Sequence, residues 1–583
     1  MKTKLPLTQQ IADSLDEFRL QTAKPDALIQ LSLLALLVGL LTGITIVVFI
    51  IIIDTVLSYW LPNHLPDNFE ALPAITRFAA PVIGTIILAI LFKFASKEEK
   101  IVGVVHVIER LRYHEGYLKI KSFILQFVGA CIALISGQSL GREGPAIHLG
   151  SFVGSILGQS FGLPNNTIRI LLACGAAAAI SAAFNTPLAG VIFAMEIIIV
   201  EYTFVSFIPI IIAAVAATGV SRSFLGGEPI LLIESLPSLS LSELPFLILL
   251  GLLIGFASTL FTTIIRFTVN KTEHFKFSTR FIGAGVFTGI VAIYVPQVLG
   301  LGYDTLNEAI IGQLSISVLL FILFAKLLTT AVSIGCGLPA GLISPSLVIG
   351  AVCGSLMAIF MQQSFSIPIE SNSLYALIGM SAMMGACLQA PLAALTAVFE
   401  ITANHAVIWP SMIAIVVAQL ITRQLFKQPP VFDMLLELRG LDFHEDPITQ
   451  SLQRTGVAKA MNRSFIAVTR TIEPSSALSI LNSNPQWIVI IENLQPTALI
   501  RGVDLVQHLQ KEPTNDEPVD LFEIPAKRLQ ISCIDVRATM AKAREVFSND
   551  HSEALCVTHW NKNSSRYIYG ILTLDQFETL YMR

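Results

Sequence analysis

The sequence is poor in charged residues, and this shortage excludes several classes of protein. Only 13% of its 583 residues are Asp, Glu, Lys or Arg, whereas 54% are hydrophobic. A typical soluble domain is about 25% charged. The formal net charge is −4 and no long basic run occurs, so neither a disordered chain nor a nucleic-acid-binding protein is indicated. The composition predicts an integral membrane protein with several helical spans.

Motifs of enzymes, pumps and metal sites are missing as well. The seven cysteines form no CxxC pair, so neither a metal site nor a disulfide framework is expected. Without a GxxxxGK[ST] loop there is no sign of an ATP-driven pump, and without HExxH or GxSxG there is none of an intramembrane hydrolase. We therefore expect a protein that is not an enzyme, with neither catalytic nor metal-binding residues.

The hydrophobicity of the chain changes sharply near Phe426, and this change divides it into regions. Residues 1–26 are polar and are predicted to form a cytoplasmic N-terminal segment, and residues 27–436 a membrane domain. A linker at 437–456 follows. The remaining chain shows a mixed β/α pattern in two similar units, at 457–511 and 523–583.

The positive charges of the loops predict the orientation in the membrane. Lys93–Lys121 contains seven Lys or Arg and Arg266–Arg280 contains four, whereas Tyr59–Thr76 and Gly226–Glu243 contain none. Positive loops remain on the cytoplasmic side. We therefore expect a multi-pass protein of the cell (cytoplasmic or inner) membrane with both termini in the cytoplasm.

An internal repeat is the most informative feature of the sequence. The segment GQSLGREGP at 137–145 faces GLPAGLISP at 337–345, and two glycines and the final proline of each loop coincide at a shift of 200 residues. Asn185–Glu196 then faces Gln389–Glu400 at a shift of 204. Two homologous membrane halves of about 200 residues are implied, and their relation can be parallel or inverted.

The two repeated loops have the chemistry of a weak anion site. Each is rich in Gly and Pro and leads into an apolar helix, so backbone N–H groups and the positive end of the helix can point into a membrane cavity. Partial charges bind an anion weakly enough to release it, which suits a small permeating anion. The alternative is that the glycines only permit close packing of helices.

Glu143 stands inside the first loop, where a carboxylate is costly and therefore a candidate for function. When ionised it can occupy the place of the anion, and when protonated it is neutral and can move away. This predicts a gate that responds to pH and to the competing anion. The alternative is a salt bridge with the neighbouring Arg142.

These residues resemble a known family. GREGP at 141–145 resembles the signature of the CLC chloride channels and chloride/proton antiporters, and the resemblance extends over residues 31–436. It implies an all-α polytopic membrane domain of two inverted repeats with up to 18 helices, and a homodimer with one pore per subunit. Further matches are GLISP at 341–345, NTPLAG at 185–190 with Glu196, and APL at 390–392 with Glu400.

The resemblance also implies which residues handle the anion. Chloride would be the transported ligand, with no other cofactor in the membrane domain, and Glu143 would be the external gating glutamate. Backbone amides would hold chloride near Arg142, Glu143, Gly144, Leu342 and Ile343.

Departures from the family pattern bear on the mechanism. The serine whose hydroxyl binds the central anion becomes Val102, and the tyrosine that caps it becomes Phe432. The phenylalanine of the second loop becomes Ile343. Losing two hydroxyl donors should weaken chloride binding at the central site by about 1 kcal/mol or more each.

The proton route departs from the pattern too. The internal proton glutamate of well-coupled antiporters falls at Ile197. Glu201 lies four residues on, one helical turn along the same face, and either substitutes for it or is a solvated helix end. With Glu143 and Glu201 as the proton-pathway candidates, we predict passive channel-like or weakly coupled conduction. Coupled antiport is the alternative, and CBS-regulated transport of another solute a more distant one.

The C-terminal region resembles a tandem pair of CBS domains, a cytoplasmic α/β module. Its predicted elements include strands at 465–468 and 487–491, and helices at 475–481 and 538–547. GILTLD at 570–575 matches the nucleotide-binding segment of such domains, which implies that Thr573 touches phosphate and Asp575 ribose. One adenine nucleotide is therefore a possible ligand, and a purely structural dimerising module is the alternative.

Overall fold

The chain forms two compact units in the computed structural model. The membrane unit consists of Leu31–Leu157 and Arg169–Phe443. The C-terminal unit consists of His444–Arg583 together with Met1–Gln30 and Gly158–Ile168. The described residues are 18–19, 21–22, 27–96, 98–227, 241–365, 371–441, 447–473, 480, 483–511, 518–560 and 566–581.

Helices α1–α8 form the first half of the membrane region. The longest, α1, has 33 residues and is almost entirely apolar, so it can cross a bilayer with tilt. Others, such as α3 with 10 residues, are too short to cross. The bounds are α1 Leu28–Trp60, α2 Ala74–Lys93, α3 Val104–Tyr113, α4 Ile120–Ile135, α5 Glu143–Ser160, α6 Asn165–Phe184, α7 Pro187–Phe193 and α8 Phe204–Leu225.

Helices α9–α17 form the second half and repeat the same alternation of long and short helices. Within the described ranges, nine helices of the two halves are long and apolar enough to span a membrane. The bounds are α9 Leu244–Thr272, α10 Phe277–Tyr294, α11 Tyr303–Ile311, α12 Ile316–Gly335, α13 Ile343–Phe365, α14 Ser371–Leu388, α15 Pro391–Thr402, α16 Ile408–Leu420 and α17 Val431–Glu437.

A backbone bridge joins the two repeated loops. The N–H of Gly141 donates to the carbonyl of Gly341, and the N–H of Gly341 donates to the carbonyl of Gly141, both at 2.7 Å. The pairing is antiparallel, and α5 and α13 each begin two residues later. Equivalent residues that exchange the same bonds in opposite directions indicate a two-fold relation, as inverted repeats require.

The two halves also cap each other's short helices. Glu196 Oε2 accepts from Ala393 N at 2.7 Å at the start of α15. In the equivalent contact, Glu400 Oε2 accepts from Ala189 N at 2.7 Å at the start of α7. The first amides of a helix have no acceptor of their own, so each carboxylate satisfies donors that would otherwise be unpaired in an apolar region.

Two long apolar stretches of the sequence are each divided into separate helices. Ile168–Val200 is divided at Asn185, which has φ of 58°, and Tyr375–Glu400 at Gln389, which has φ of 53°. A proline begins the next helix two residues later in both cases. A left-handed residue ends a right-handed helix, and proline is well suited to the first position of the following one.

The C-terminal unit contains a six-stranded sheet with the strand order β1-β3-β4-β6-β7-β8. Strands β1 and β3 are parallel and β4 is antiparallel to β3, and β6, β7 and β8 repeat this arrangement. Strands β2 and β5 form a separate pair. The bounds are β1 Phe465–Thr469, β2 Thr471–Ile472, β3 Trp487–Glu492, β4 Gln495–Arg501, β5 Val519–Asp520, β6 Leu529–Asp535, β7 Ala554–Trp560 and β8 Arg566–Thr573.

In the described part of this unit, the helices beside these strands are α18 Pro447–Arg454, α19 Val457–Ala460, α20 Gly502–Lys511, α21 Met540–Asp550 and α22 Leu574–Tyr581. The core beneath β7 and β8 includes Leu555, Leu572 and Phe577. The strands predicted at 465–468 and 487–491 and the helix at 538–547 agree with β1, β3 and α21 to within a few residues. The helix predicted at 475–481 lies, except for residue 480, outside the described residues.

The reciprocal caps predict a measurable contribution to stability. Glu196→Ala removes both carboxylate oxygens, which accept from the amides of Leu392 and Ala393 at the start of α15. The free energy of unfolding should therefore fall by about 1–2 kcal/mol. Glu196→Gln is the matched control, because it retains one acceptor oxygen and should lose less. Thermal unfolding in detergent, followed by fluorescence, would compare the two. Equal stability of the alanine variant and the parent protein would contradict the capping role.

Candidate functional site

Three glycines allow the repeated loops to approach closely. A Cβ on Gly144 would lie 2.9 Å from Gly341 Cα, and a Cβ on Gly341 would lie 2.6 Å from Gly144 N. A Cβ on Gly141 would lie 2.0 Å from Glu143 Oε2. Side chains at these positions would separate the two helix ends or displace the carboxylate. The glycines therefore permit the close packing that was considered as the alternative, and the same approach brings the predicted anion-binding loops together.

Glu143 is fully buried at the start of α5 and reaches across to the start of α13. Its Oε2 accepts from Ser344 N at 3.3 Å, and its Oε1 accepts from the Ser344 hydroxyl. Ser344 belongs to the first turn of α13, where backbone N–H groups face outward and the helix end is positive. The carboxylate oxygens stand where an anion would be bound.

Arg142 does not pair with Glu143. Its Nη2 donates to the carbonyl of Ala183 at 3.1 Å, and its guanidinium carbon lies 5.5 Å from the centroid of the Tyr303 ring. Within the described part of the chain, no ion pair joins Arg142 to Glu143. The salt bridge considered as the alternative is therefore not formed, and the gating carboxylate is held by neutral donors.

A cavity of about 510 Å³ in the membrane unit extends to the two loops. Five of the seven residues predicted to surround the anion line it together, which are Val102, Gly144, Leu342, Ile343 and Phe432. Charged side chains line another part of its wall, namely Lys100, Glu109, Glu273, Arg280 and Arg439. The lining of the cavity thus includes both charged side chains and the residues at the start of α5 and α13.

Apolar side chains line this cavity at the two positions where a hydroxyl ligand is expected to be missing. Phe432, buried near the start of α17, and Val102, just before α3, present a phenyl and an alkyl surface. The nearby N–H of Gly103 already donates to Gln126 Oε1 at 2.6 Å. Apolar side chains therefore line the cavity where the family pattern has hydroxyl ligands.

Glu201 is not placed where a continuous helix would put it. The π-helical segment Ala194–Ile198 contains Ile197 and ends before Glu201, and Val200 has φ of 56°. The N–H of Glu201 donates to the carbonyl of Met195 at 3.0 Å as the chain turns. The prediction that Ile197 and Glu201 share one helical face is therefore wrong, because the left-handed residue between them ends the helical geometry.

Sequence reasoning did not single out Tyr303 and Ser344 as site residues. Ser344 lies in the second loop motif, of which Leu342 and Ile343 but not Ser344 are predicted to bind the anion. The Tyr303 hydroxyl lies 3.2 Å from Ser344 Oγ, although the two residues are 41 positions apart. No local pattern of the sequence could have indicated this contact.

An acidic residue holds Tyr303 from the other side. Asp67 Oδ2, in the loop between α1 and α2, accepts from Tyr303 N at 2.9 Å. Burial, together with the nearby Asp304 carboxylate, raises the pKa of Asp67 to about 7. On α12, the buried Lys326 donates to the carbonyls of Val298 and Gly300 at 3.1 and 3.2 Å.

The predicted nucleotide residues have other contacts in the C-terminal unit. Thr573 Oγ1 accepts from Gln576 N at 3.4 Å, and Gln576 Oε1 accepts from Thr573 N at 3.3 Å, so this pair caps α22. Asp575 is exposed on the first turn of the same helix. A cavity of about 80 Å³ near Arg537 and His559 includes neither residue, and cofactor pockets are typically about 300–1,000 Å³. Nucleotide binding stays a prediction.

Comparisons with known proteins agree with the geometry. The family model described as voltage gated chloride channel matches residues 83–423. The H(+)/Cl(−) exchange transporter ClcA of Vibrio cholerae serotype O1 is 32% identical over 327 residues, which are 54% of this chain and 68% of that protein.

Solved structures share the fold. A slow cyanobacterial Cl−/H+ antiporter has a TM-score of 0.62 at 25% identity, covering 70% of this chain and 98% of its own. A eukaryotic CLC transporter has a TM-score of 0.60 at 17% identity, covering 94% and 98%, which shows the fold alone. Because the family match spans more than half of the sequence, this chain belongs to the voltage gated chloride channel family, the CLC family, and is a multi-pass membrane protein of chloride transport.

Proposed function

We propose that this protein conducts chloride passively, in a channel-like or weakly coupled way, with Glu143 as a pH-sensitive gate. The observation that carries the proposal is the position of the Glu143 carboxylate on the first turn of α13. An ionised carboxylate competes with chloride for these donors. A protonated one is neutral and loses that advantage, so chloride can take its place.

The cavity supports a path for chloride up to this gate. Lys100, Arg280 and Arg439 outnumber the two glutamates on its charged wall and favour the entry of an anion. Beyond them, Val102 and Phe432 offer no hydroxyl donors, so chloride would be held weakly and released quickly. Weak binding in the middle of the path is what channel-like conduction needs.

The surroundings of Ile197 support loose rather than tight coupling to protons. Ile197 is buried and has no titratable group, and Glu201 lies beyond the end of its helical segment. A proton on Glu143 therefore lacks the usual side-chain partner for onward transfer.

Coupled chloride/proton antiport is the second candidate. It is favoured by two relatives whose names describe exchange of H(+) and Cl(−), at 32% and 25% identity. Glu143 would serve in both mechanisms. Antiport would require a relay other than Ile197, for which Glu201 or a file of water molecules is available.

We further propose a homodimer in the cell (cytoplasmic or inner) membrane with both termini in the cytoplasm. The positive loops Lys93–Lys121 and Arg266–Arg280 support this orientation. The repeated strand pattern of the C-terminal unit suits a CBS pair that regulates or dimerises the protein, with an adenine nucleotide as its candidate ligand. Neither enzymatic activity nor a nucleic-acid partner is proposed.

The reversal potential of the purified protein decides between the two mechanisms. In a planar bilayer with a chloride gradient, channel-like conduction should reverse at the chloride Nernst potential, and a superimposed pH gradient should not move it. Tight antiport would displace the reversal potential toward that of protons. Absence of any chloride current would contradict the proposal as a whole.

Glu143→Gln should make chloride flux independent of pH, because a neutral amide cannot change its charge. Flux from liposomes would be measured between pH 4.5 and 7.5. Glu308→Gln on α11 is a control outside the gate and should retain the pH dependence of the parent protein. Pronounced pH dependence in Glu143→Gln would count against the gate assignment.

Phe432→Tyr should strengthen chloride binding by restoring a hydroxyl donor to the cavity. One hydrogen bond to an anion contributes about 1 kcal/mol or more, so the half-saturating chloride concentration should fall about fivefold or more. The parent phenylalanine is the matched control, since it differs by a single oxygen. Chloride titration by calorimetry would measure the change, and an unchanged affinity would mean that residue 432 does not face the anion.

A further inference from the structure

We propose that the Ser344 hydroxyl is a side-chain ligand of chloride at the gate, and that Tyr303 is the positioning residue that orients this hydroxyl. The inference rests on the proposed gating by Glu143 and deepens it, because it names the groups that receive the anion when the carboxylate leaves. It also places a hydroxyl donor at the gate, whereas Val102 and Phe432 provide none in the cavity.

The contacts of Ser344 are those of an anion ligand. Its backbone N–H and its hydroxyl both donate to the same Glu143 carboxylate. Its side chain is only 1% exposed, so no competing water surface surrounds it. Chloride accepts the same kind of donor as a carboxylate oxygen, and both donors are already directed at the position that Glu143 occupies.

The direction of the hydrogen bonds follows from the chemistry of the groups. An ionised carboxylate only accepts, so the single hydroxyl proton of Ser344 must point at Glu143. The Tyr303 hydroxyl, 3.2 Å from Ser344 Oγ, must then be the donor in that contact. Such a chain polarises the serine hydroxyl and keeps its proton directed at the site.

Tyr303 is itself held in place by charged neighbours. Its N–H donates to Asp67 Oδ2, and the Arg142 guanidinium lies over its ring. Other charged groups that act on this region are Asp54 on α1, Asp304 on α11 and Lys326 on α12. Asp67 and Arg142 thus contact Tyr303 directly, whereas Ser344 is the residue whose side chain touches the gate.

Hydroxyl donors are thus placed differently in this protein from the family pattern. The cavity has no hydroxyl at Val102 and Phe432, while the Ser344 hydroxyl, oriented by Tyr303, provides one at the gate. The strongest binding of chloride should therefore occur at the gate itself. Chloride and the Glu143 carboxylate would compete there for one set of donors.

The test uses the full-length protein with Glu143→Ala, in which the site is open to chloride. Adding Ser344→Ala should raise the half-saturating chloride concentration for flux about tenfold. Ser346→Ala is the matched control: its hydroxyl donates to Ile343 O at 2.6 Å and not to the gate, so the concentration should not change. Equal half-saturation with and without the Ser344 hydroxyl would overturn the proposal.

The role of Tyr303 is tested with Glu143 intact. Ser344→Ala and, to a smaller extent, Tyr303→Phe remove support from the ionised carboxylate, so flux should activate at a higher pH than in the parent protein. Ser346→Ala should leave the pH profile unchanged. If Ser344→Ala does not fold, Tyr303→Phe decides alone, and an unchanged pH profile together with unchanged chloride dependence would overturn the inference.

The two proposals fail in different ways. If flux through Glu143→Ala keeps the full pH dependence of the parent protein, the gate is wrong and the inference falls with it. If that variant loses its pH dependence but Ser344→Ala changes neither chloride affinity nor the pH profile, the gate stands and only the ligand role of Ser344 is refuted.

Discussion

Two backbone hydrogen bonds between Gly141 and Gly341 are the constraint on which the rest of the membrane unit depends. They fix the starts of α5 and α13 beside one another, so that a side chain from one loop can reach the first turn of the other helix. A Cβ on Gly144 or Gly341 would collide with the opposite backbone, so the approach is open only to glycine. The position of the Glu143 carboxylate follows from this close contact.

Carboxylates also accept hydrogen bonds from backbone amides at the starts of other helices in the membrane unit. Glu196 and Glu400 cap the short helices of the opposite half, and Asp67 caps the start of α11. A short helix that begins inside the membrane region has first amides without acceptors. A carboxylate is an effective acceptor at this positive end of the helix. At α13 the acceptor is Glu143, and in the proposed mechanism chloride competes with its carboxylate for the same donors.

The distribution of hydrogen-bond donors gives the path its proposed character. In the proposed mechanism, the phenyl and alkyl groups of Phe432 and Val102 hold chloride weakly in the cavity, while the N–H and the hydroxyl of Ser344 are the donors at the gate. Weak binding along the route favours rapid passage, and stronger binding at the gate allows chloride to compete with the carboxylate. Selectivity and opening would then be controlled at one place.

The repeat and the membrane character could be predicted from the sequence, because glycine, proline and an acidic residue in an apolar segment each have few physical explanations. The sequence also singled out Glu143, five residues that line the cavity, and the absence of hydroxyls at Val102 and Phe432. The folded structure was needed to show that Glu201 leaves the face of Ile197, because one left-handed residue at Val200 redirects the chain. It alone placed Tyr303 behind Ser344 and turned Arg142 away from Glu143. These contacts join residues that are distant in the chain or whose side-chain directions depend on packing, so no local periodicity records them.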